Sequence, residues 1–291
     1  MTTDGQDAAA PRRTRHMTGG PVNAVGAAPV IVCDLDGVLW RGEIAIAGSA
    51  EAGGVLRAAG RRVAFLTNNS SVRVADVVSK LGSIGVDAAA ADVLSSAQAA
   101  AALVREDLEP GARVLTCAGP GVVEALELAG YESVDAGGPD RGEVAAVVVG
   151  FHREFDFDRL DRASDAIRRG ARFVATNLDA TYPGADRVLP GAGSIVAAVA
   201  TASGVQPDVA GKPARATVAL VRARLGTRGV MVGDRPSTDG LLAARLEWPY
   251  AMVLSGIGGH DPSEPVPTDP APAWVGEDLA SLVDELVEYP G

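Results

Sequence analysis

Four apolar residues, Val30–Cys33, run directly into Asp34-Leu35-Asp36-Gly37, and this junction constrains the fold of the 291-residue chain more than any other feature. An uninterrupted apolar run of this length is typical of a strand that is buried on both faces of a parallel sheet. Ligands of open α/β sheets bind beyond the carboxyl ends of the strands, where Asp34 and Asp36 fall. The junction therefore predicts a buried strand that presents two carboxylates, suited to act as a nucleophile and as a general acid and base.

Two later segments offer groups that suit a phosphate. Val63–Leu66 is a second apolar run, and it leads into Thr67-Asn68-Asn69-Ser70-Ser71. A hydroxyl and backbone N–H groups between a strand and a helix can cradle phosphate oxygens. Lys212, in Gly211-Lys212-Pro213, offers an ammonium that can neutralise a carboxylate and a phosphate together.

A third segment adds two more carboxylates. The apolar run Val230–Val232 leads into residues 233–239, which contain Asp234 and Asp239. Together with the first acidic pair, they could complete a site for a hard cation made of oxygen ligands. The same Asp-x-Asp-Gly pattern occurs in EF-hand calcium loops, but residues 38–41 supply none of the further oxygen ligands that such a loop needs.

Strand-like and helix-like segments alternate along the chain, which is typical of an α/β fold with a doubly wound parallel sheet. A second alternation follows the turn signal Glu109-Pro110-Gly111 and ends before Lys212, so it indicates an inserted α/β cap. We expect a tail at 1–28, a discontinuous core at 29–108 and 209–291, and the cap at 109–208. Helices are expected at Ser49–Ala59, Val72–Leu81, Ser95–Asp107, Gly121–Ala129, Phe157–Arg169 and Ala214–Leu225.

One cap helix, Phe157–Arg169, has a clear amphipathic pattern. Its stripe of Phe157, Leu160, Ala163 and Ile167 is expected to face the core, and Asp158, Arg159, Asp161 and Arg162 are expected to face outward. The Pro- and acid-rich segment 261–272 is expected to be a surface loop.

Charge and cysteine content exclude some classes of function. The net charge is −11, from 37 acidic and 26 basic residues, which argues against a nucleic-acid partner. Cys33 and Cys117 fall in or at the end of strands and are expected to be buried thiols in a reducing compartment. Residues 1–28 lack the apolar stretch of a signal peptide, and no run is long enough to span a membrane. We expect a cytoplasmic protein with a solvated, disordered N-terminal tail and no membrane contact.

The motifs together resemble those of the haloacid dehalogenase superfamily, specifically its phosphatase branch with a type IIA cap (NagD-like and 4-nitrophenylphosphatase-like proteins). The resemblance covers about residues 29–280 and implies a Rossmann-like core with a C2-type cap. It also implies Mg²⁺-dependent hydrolysis of a small organic phosphate, and a homodimer formed through the cap. The matching segments are DLDGVLWRG at 34–42, TNNSS at 67–71, ATNLD at 175–179, LPGAGS at 189–194, GKP at 211–213 and GDRPSTD at 233–239.

The resemblance implies a role for each matched position. Asp34 would attack phosphorus to form an aspartyl-phosphate, and Asp36 would protonate the leaving alcohol and then activate water. Lys212 would pair with Asp34 and the phosphoryl group. The phosphate would be held by Thr67, Asn68 and Asn69. Mg²⁺ would be bound by Asp34, the backbone carbonyl of Asp36 and Asp234, with Asp239 ordering its waters. So many carboxylates could not crowd a dianionic phosphate without such a cation.

The cap must select the substrate, because the core contacts mainly phosphate. Asp179 and Tyr182, in the loop 177–183, are the polar candidates, although Asp179 could merely brace the loop and Tyr182 merely pack. Tyr182 stands where pyridoxal-phosphate-type relatives have a histidine, which counts against that substrate. The remaining candidate substrates are phosphoglycolate, glycerol phosphate, a sugar phosphate and a nucleoside monophosphate. Trp40 is expected to anchor the first motif, and His152 to be a packed or surface histidine.

Three alternatives compete with this interpretation. A phospho-accepting signalling receiver also combines aspartates, a threonine and a lysine, but it lacks the second carboxylate, Asp36, and a large cap. A non-catalytic phosphate-binding protein has no support, because all four motif elements are present. These are the first acidic pair, the segment that begins at Thr67, Lys212 and the second acidic pair. A dehalogenase or phosphomutase on the same fold is the enzymatic alternative, and Asp36 favours phosphate-ester hydrolysis over dehalogenation.

Overall fold

A computed structural model describes residues 28–183, 187–256 and 269–290. The predicted tail, apart from Ala28, lies outside the described residues, and so does most of the predicted loop at 261–272. The strands are β1 (Val30–Cys33), β2 (Trp40–Arg41), β3 (Ile44–Ala45), β4 (Val63–Thr67), β5 (Val93–Ser95), β6 (Arg113–Cys117), β7 (Glu132–Asp135), β8 (Ala146–Val149), β9 (Arg172–Ala175), β10 (Thr181–Pro183), β11 (Val188–Pro190), β12 (Asp208–Val209), β13 (Gly229–Gly233), β14 (Tyr250–Val253) and β15 (Trp274–Gly276).

Helices alternate with these strands, as the sequence predicts. They are α1 (Ser49–Ala58), α2 (Val74–Ser83), α3 (Ser96–Val104), α4 (Pro120–Leu128), α5 (Phe157–Arg168), α6 (Ala192–Ser203), α7 (Arg215–Leu225), α8 (Leu241–Leu246) and α9 (Val283–Glu288). Each predicted helix exists and differs from its predicted bounds by up to three residues at either end, which is the usual uncertainty at fraying helix ends.

The first sheet has six parallel strands in the order β15-β14-β13-β1-β4-β5. Strand β1 is central, and Ile31 pairs with Val63 on one side and Val230 on the other. The chain continues from β1 to β4 on one side and reaches β13 on the other only later. That reversal of strand order is the topological switch point at which α/β sheets bind their ligands.

Both faces of this sheet are buried, which explains why β1 consists of apolar residues alone. Successive side chains of a strand point to opposite faces. Ile31 and Cys33 pack with α1, α2 and α9, and Val30 and Val32 pack with α7 and α8. The doubly wound α/β core is therefore confirmed.

The second sheet is also parallel, and its order is β12-β9-β8-β6-β7. Helices α5 and α6 cover one of its faces, and α3, α4 and α7 contribute to the apolar cluster on the other. Helix α7 also packs on the first sheet, so it joins the two layers. Strand β12 still pairs with β9, one residue past the predicted cap end at 208. The second sheet fits an inserted α/β cap, and its boundaries stay a prediction.

The amphipathic assignment of α5 is wrong at two positions. Phe157 is the first residue of the helix and is 79% exposed, because it lies one turn before the part of α5 that packs on the sheet. Arg162, predicted to face outward, is buried. Its Nη1 donates to the carbonyls of Asp135 (2.6 Å) and Gly138 (2.9 Å) after β7, which satisfies the guanidinium away from water.

Other expectations concern thiols, membranes and assembly. Cys33 and Cys117 are free and buried, and burial raises the pKa of each thiol to about 12. Within the described ranges, no helix combines the length and apolarity needed to cross a bilayer. The structure contains one copy of the chain, so the homodimer through the cap stays a prediction.

Truncating Phe65 tests the packing of the first sheet. Phe65 is fully buried in β4 between β1 and β5, so Phe65→Ala should lower the free energy of unfolding by about 3–5 kcal/mol. The matched control, Phe157→Ala, removes the same atoms from an exposed site and should change it by less than about 0.5 kcal/mol. Urea denaturation followed by circular dichroism measures both. Equal losses would contradict the burial of one ring and the exposure of the other.

Candidate active site

Lys212 joins the predicted segments at the carboxyl edge of the first sheet. Its Nζ lies 2.8 Å from Oδ1 of Asp34 and 2.7 Å from Oδ1 of Asp239, and it donates to the carbonyl of Leu66 at 3.2 Å. An ammonium has three N–H donors, so these contacts use all of them and fix its direction. The lysine therefore links residues that follow β1 and β13 to the end of β4.

The charge on Lys212 is stable in this setting. Burial disfavours an ammonium, but the carboxylates of Asp239 and Asp34 outweigh burial and raise the pKa of Lys212. Lys212 thus stays a fixed positive charge across the physiological pH range.

Three carboxylates form a buried cluster beside this lysine. Asp34, Asp234 and Asp239 each place one carboxylate oxygen within 4.8 Å of the others. Burial, followed by the charges of Asp239 and Asp34, raises the pKa of Asp234 to about 8. Burial also raises the pKa of Asp239 to about 6, although Lys212 opposes this shift. The cluster holds more negative charge than the one lysine offsets, which favours a bound cation.

The donor set fits a hard metal ion. Oδ1 of Asp234 is buried and has no hydrogen-bond partner among the described residues. A buried carboxylate oxygen without a donor is costly unless a cation binds it. Carboxylate oxygens are the ligands preferred by Mg²⁺ and Ca²⁺. The buried triad could therefore hold a divalent cation.

Asp36 lies apart from that triad. Its Oδ1 accepts a hydrogen bond from the indole Nε1 of Trp40 at 3.0 Å. Burial and then the charge of Asp34 raise the pKa of Asp36 to about 6. A carboxyl group that titrates close to neutral pH is suited to give and take protons.

Gly37 allows the turn after β1 to pass close to the cluster. Its φ is +91°, and a Cβ there would come within 2.6 Å of the carboxylate of Asp234. Both the left-handed backbone and the close approach require glycine.

The segment after β4 surrounds the lysine with hydrogen bonds. Oδ1 of Asn68 accepts from the backbone N–H of Lys212 at 2.8 Å, and its Nδ2 donates to Asp179 Oδ2 at 3.1 Å. Thr67 is buried at the end of β4, and its Oγ1 accepts from the N–H of Asn69 at 2.9 Å. Asn69 itself is exposed, and its Oδ1 accepts from the N–H and hydroxyl of Ser71. Asn68 therefore ties the segment to the lysine and to the cap.

The second sheet supplies the opposite wall. Nδ2 of Asn177 donates to the carbonyl of Asn68 at 2.7 Å, and burial raises the pKa of Asp179. Tyr182 packs edge-on against Phe151, with ring centroids 5.0 Å apart, and its hydroxyl accepts from Nη2 of Arg153 at 3.1 Å. Phe151 and Arg153 come from the loop that follows β8, and Asn177 and Asp179 from the loop that follows β9. Tyr182 lies in β10, which pairs with β11, so the predicted loop 177–183 ends in a strand.

A cavity of about 330 Å³ lies between the two walls. Every predicted catalytic and phosphate-binding residue lines it, and so do Asp179 and Tyr182. Asp234 and Asp239 are not among its lining residues. Further lining residues are Gly42, Glu43, Lys80, Phe151, Arg153, Asn177, Thr181, Leu189, Gly191, Ala192, Arg235 and Thr238.

Sequence reasoning missed three of these features. Arg153 follows the end of β8, so the rule that identified Asp34 could have found it. His152 is packed, as expected: it is buried, and its Nδ1 lies 3.1 Å from the carbonyl of Gly150. The hydrogen bond from Trp40 to Asp36 has no sequence signal, because it depends on a tight turn. The position of Lys80 has none either, because it depends on how helix α2 packs beside that turn.

The chain is similar to hydrolases of a known family. A family model for haloacid dehalogenase-like hydrolases matches residues 31–132, and a HAD-hydrolase-like model matches residues 209–282. D-glycerol 3-phosphate phosphatase from Mycobacterium tuberculosis is 38% identical over 257 residues, covering 87% of this chain and 70% of the relative. Phosphoglycolate phosphatase 2 from Arabidopsis thaliana is 33% identical, covering 77% of this chain and 82% of the relative.

Solved structures share the fold. The crystal structure of glycerol phosphate phosphatase from Mycobacterium tuberculosis in complex with magnesium has a TM-score of 0.77 and 35% identity. The superposition covers 89% of this chain and 78% of that one.

The acidic triad predicts a cation- and pH-dependent stability. In metal-free protein, the raised pKa of Asp234 gives stability that is full below its unfolded pKa of about 4 and is lost as pH rises through about 8. In EDTA, Tm should therefore fall between pH 6 and pH 8.5, and less so in Asp234→Asn. Mg²⁺ should raise Tm most at pH 8.5, where the triad is ionised.

Differential scanning calorimetry measures both effects. The matched control is Glu43→Gln, which removes an acid from the same cavity but outside the triad, and it should respond to Mg²⁺ as wild type does. An undiminished rise of Tm with Mg²⁺ in Asp234→Asn would rule out the triad as the cation site.

Proposed function

This chain belongs to the haloacid dehalogenase-like hydrolases, in the subfamily of NagD, the 4-nitrophenylphosphatases and the glycerol-phosphate phosphatases, and we propose that it hydrolyses glycerol 3-phosphate or a phosphate ester of similar size. The chain is a phosphatase of small phosphate esters. The single observation that carries the proposal is the cavity of about 330 Å³ that joins Asp34 and Lys212 to Tyr182 and Arg153. A space of this size suits a short organic phosphate.

In the proposed first step, a carboxylate oxygen of Asp34 attacks phosphorus, and the bond from phosphorus to the ester oxygen breaks. Asp36 gives its proton to the leaving oxygen, so the products are the free alcohol and an aspartyl-phosphate. This is covalent catalysis by a carboxylate. A pKa of about 6 leaves Asp36 partly protonated near neutral pH, which a general acid requires.

In the proposed second step, water attacks the phosphorus of the aspartyl-phosphate, and the bond to Asp34 breaks. Asp36, now ionised, takes the proton of that water, and inorganic phosphate leaves. The proton given in the first step is thereby recovered, and both aspartates return to their starting state.

Positive charge is needed where the carboxylates and the phosphate come together. Lys212 lies 2.8 Å from Asp34, so it can stabilise charge that moves between the nucleophile and the phosphoryl oxygens. We propose that Asp34, the backbone carbonyl of Asp36 and Asp234 hold Mg²⁺, with Asp239 orienting its waters. When bound, this ion supplies charge neutralisation that the buried triad and the phosphate both need. Thr67, Asn68 and Asn69 would hold the remaining phosphate oxygens.

The cap side of the cavity is proposed to select the leaving group. Tyr182 and Asp179 offer a hydroxyl and a carboxylate, which suit the hydroxyls of glycerol. Arg153 favours a second candidate, phosphoglycolate, because a guanidinium can bind the carboxylate of that ester in a bidentate manner. Both esters fit the relatives, which include glycerol-phosphate and phosphoglycolate phosphatases.

Replacing Asp34 or Asp36 by asparagine should impair the reaction in different ways. Asp34→Asn should abolish hydrolysis and leave no acid-stable phosphate on the protein, since an amide does not attack phosphorus usefully. Asp36→Asn should still bind substrate and metal but lose a factor of about 10²–10⁴ in kcat. Steady-state rates and acid-quenched, ³²P-labelled protein measure both effects. Wild-type activity of Asp34→Asn would exclude that residue as the nucleophile.

Tyr182 and Lys212 should affect different parts of the substrate. Tyr182→Ala and Arg153→Ala should change the ranking of glycerol 3-phosphate, phosphoglycolate and 4-nitrophenyl phosphate, whereas Lys212→Ala should depress all three together. Contacts to the shared phosphoryl group scale every rate, and contacts to the leaving group alter ratios. The measurement is kcat/KM for each ester with Mg²⁺ and with EDTA. Unchanged ratios in both cap variants would place substrate selection elsewhere.

A further inference from the structure

Trp40 contacts Asp36, the proposed general acid, and the proposed chemistry does not explain this contact. The residue is only 4% exposed and is not among the residues that line the cavity, so it does not touch the substrate. Its indole Nε1 nevertheless lies 3.0 Å from Oδ1 of Asp36, four residues earlier in the chain. An indole N–H can only donate, so this oxygen of Asp36 must act as the acceptor.

The indole itself is held from two sides. The backbone around it forms a tight turn, in which the N–H of Gly37 donates to the carbonyl of Trp40 at 2.7 Å. Lys80, which comes from helix α2, places its Nζ 4.5 Å from the ring centroid of Trp40. The same ammonium donates to the carbonyl of Gly42 at 2.7 Å, beyond the β2 strand. A cation over an indole face is the most favourable cation–π pairing, so Lys80 keeps the ring in place.

We propose that Trp40, supported by Lys80, is a positioning residue that determines which oxygen of Asp36 carries the transferred proton. With Oδ1 held as the acceptor of the indole, the proton resides on Oδ2, the oxygen left free to reach the ester oxygen of the substrate. A carboxyl group without this contact could rotate and present either oxygen, so only part of its population would be ready to transfer a proton. This inference rests on the proposed function of Asp36 as general acid.

Comparing substrates with different leaving groups distinguishes a positioning role of Trp40 from a merely structural one. The alkoxide of glycerol is a poor leaving group and needs the proton, whereas 4-nitrophenolate leaves as a stabilised anion without it. Trp40→Phe keeps the ring beneath Lys80 but removes the N–H donor. We expect kcat/KM to fall by roughly ten- to a hundredfold for glycerol 3-phosphate, and by less than about twofold for 4-nitrophenyl phosphate.

A matched control separates this effect from the loss of a buried indole in general. Trp248 is also buried, and its Nε1 donates to the carbonyl of Thr227 at 2.8 Å, remote from the cavity. Trp248→Phe should leave the ratio of the two substrates as in wild type. Lys80→Met is a second test in case Trp40→Phe folds poorly, because it keeps the N–H but removes the support of the ring. It should shift the ratio in the same direction by a smaller factor.

Asp36→Asn, assayed beside these variants, distinguishes the possible failures. If Asp36→Asn shifts the ratio and Trp40→Phe shifts it too, the positioning role is supported. If Asp36→Asn shifts the ratio but Trp40→Phe lowers both substrates equally or neither, Trp40 only packs and the inference is overturned, while the proposed function stands. If Asp36→Asn hydrolyses both esters as wild type does, the general-acid assignment itself fails, and the inference fails with it.

Discussion

The arrangement of the whole site depends on one buried ammonium. Lys212 contacts Asp34 and Asp239 and donates to the Leu66 carbonyl, so one charge holds the carboxyl ends of three neighbouring strands together. Removing one partner of a buried ion pair typically costs about 3–5 kcal/mol, because the other charge is left unpaired. The lysine offsets only one of the three negative charges of the triad, and burial together with the charges of Asp239 and Asp34 raises the pKa of Asp234. A divalent cation would offset the two negative charges that remain.

Asn68 extends this charge network to the cap. Its side chain binds both backbone groups of Lys212 and the carboxylate of Asp179, and its own carbonyl accepts from Asn177. The segment after β4, the lysine and the loop after β9 are therefore positioned by one amide. Buried polar networks of this kind are rigid when every member is satisfied. Under the proposed function, this rigidity would fix the distance from the phosphoryl group to Tyr182, as selection by leaving group requires.

Most of the core of the site could be predicted because its residues follow strand ends. Parallel strands bring their carboxyl ends to one edge, so Asp34, Thr67 and Asp234 had to meet once each strand was identified from its apolar run. The same reasoning does not predict which side chains of α5 are buried, nor the contact of Trp40 with Asp36. Phe157 fits the helical period but lies in the first turn, where the sheet no longer covers it, and Arg162 breaks the period because carbonyls after β7 satisfy it. The helical period of the sequence does not show where the neighbouring sheet ends.

The sequence by itself determined the class of the fold, the carboxylates and lysine of the site, and the family to which the chain belongs. These follow from local patterns, since an apolar run and the polar residues after it lie within ten positions of each other. Only the tertiary structure decided that Lys212 bridges Asp34 and Asp239, that Asp36 bonds Trp40 beneath Lys80, and that Arg153 lies beside Tyr182. Most of these contacts join residues tens to hundreds of positions apart, and their distances depend on how two sheets and their helices pack, which no local pattern encodes.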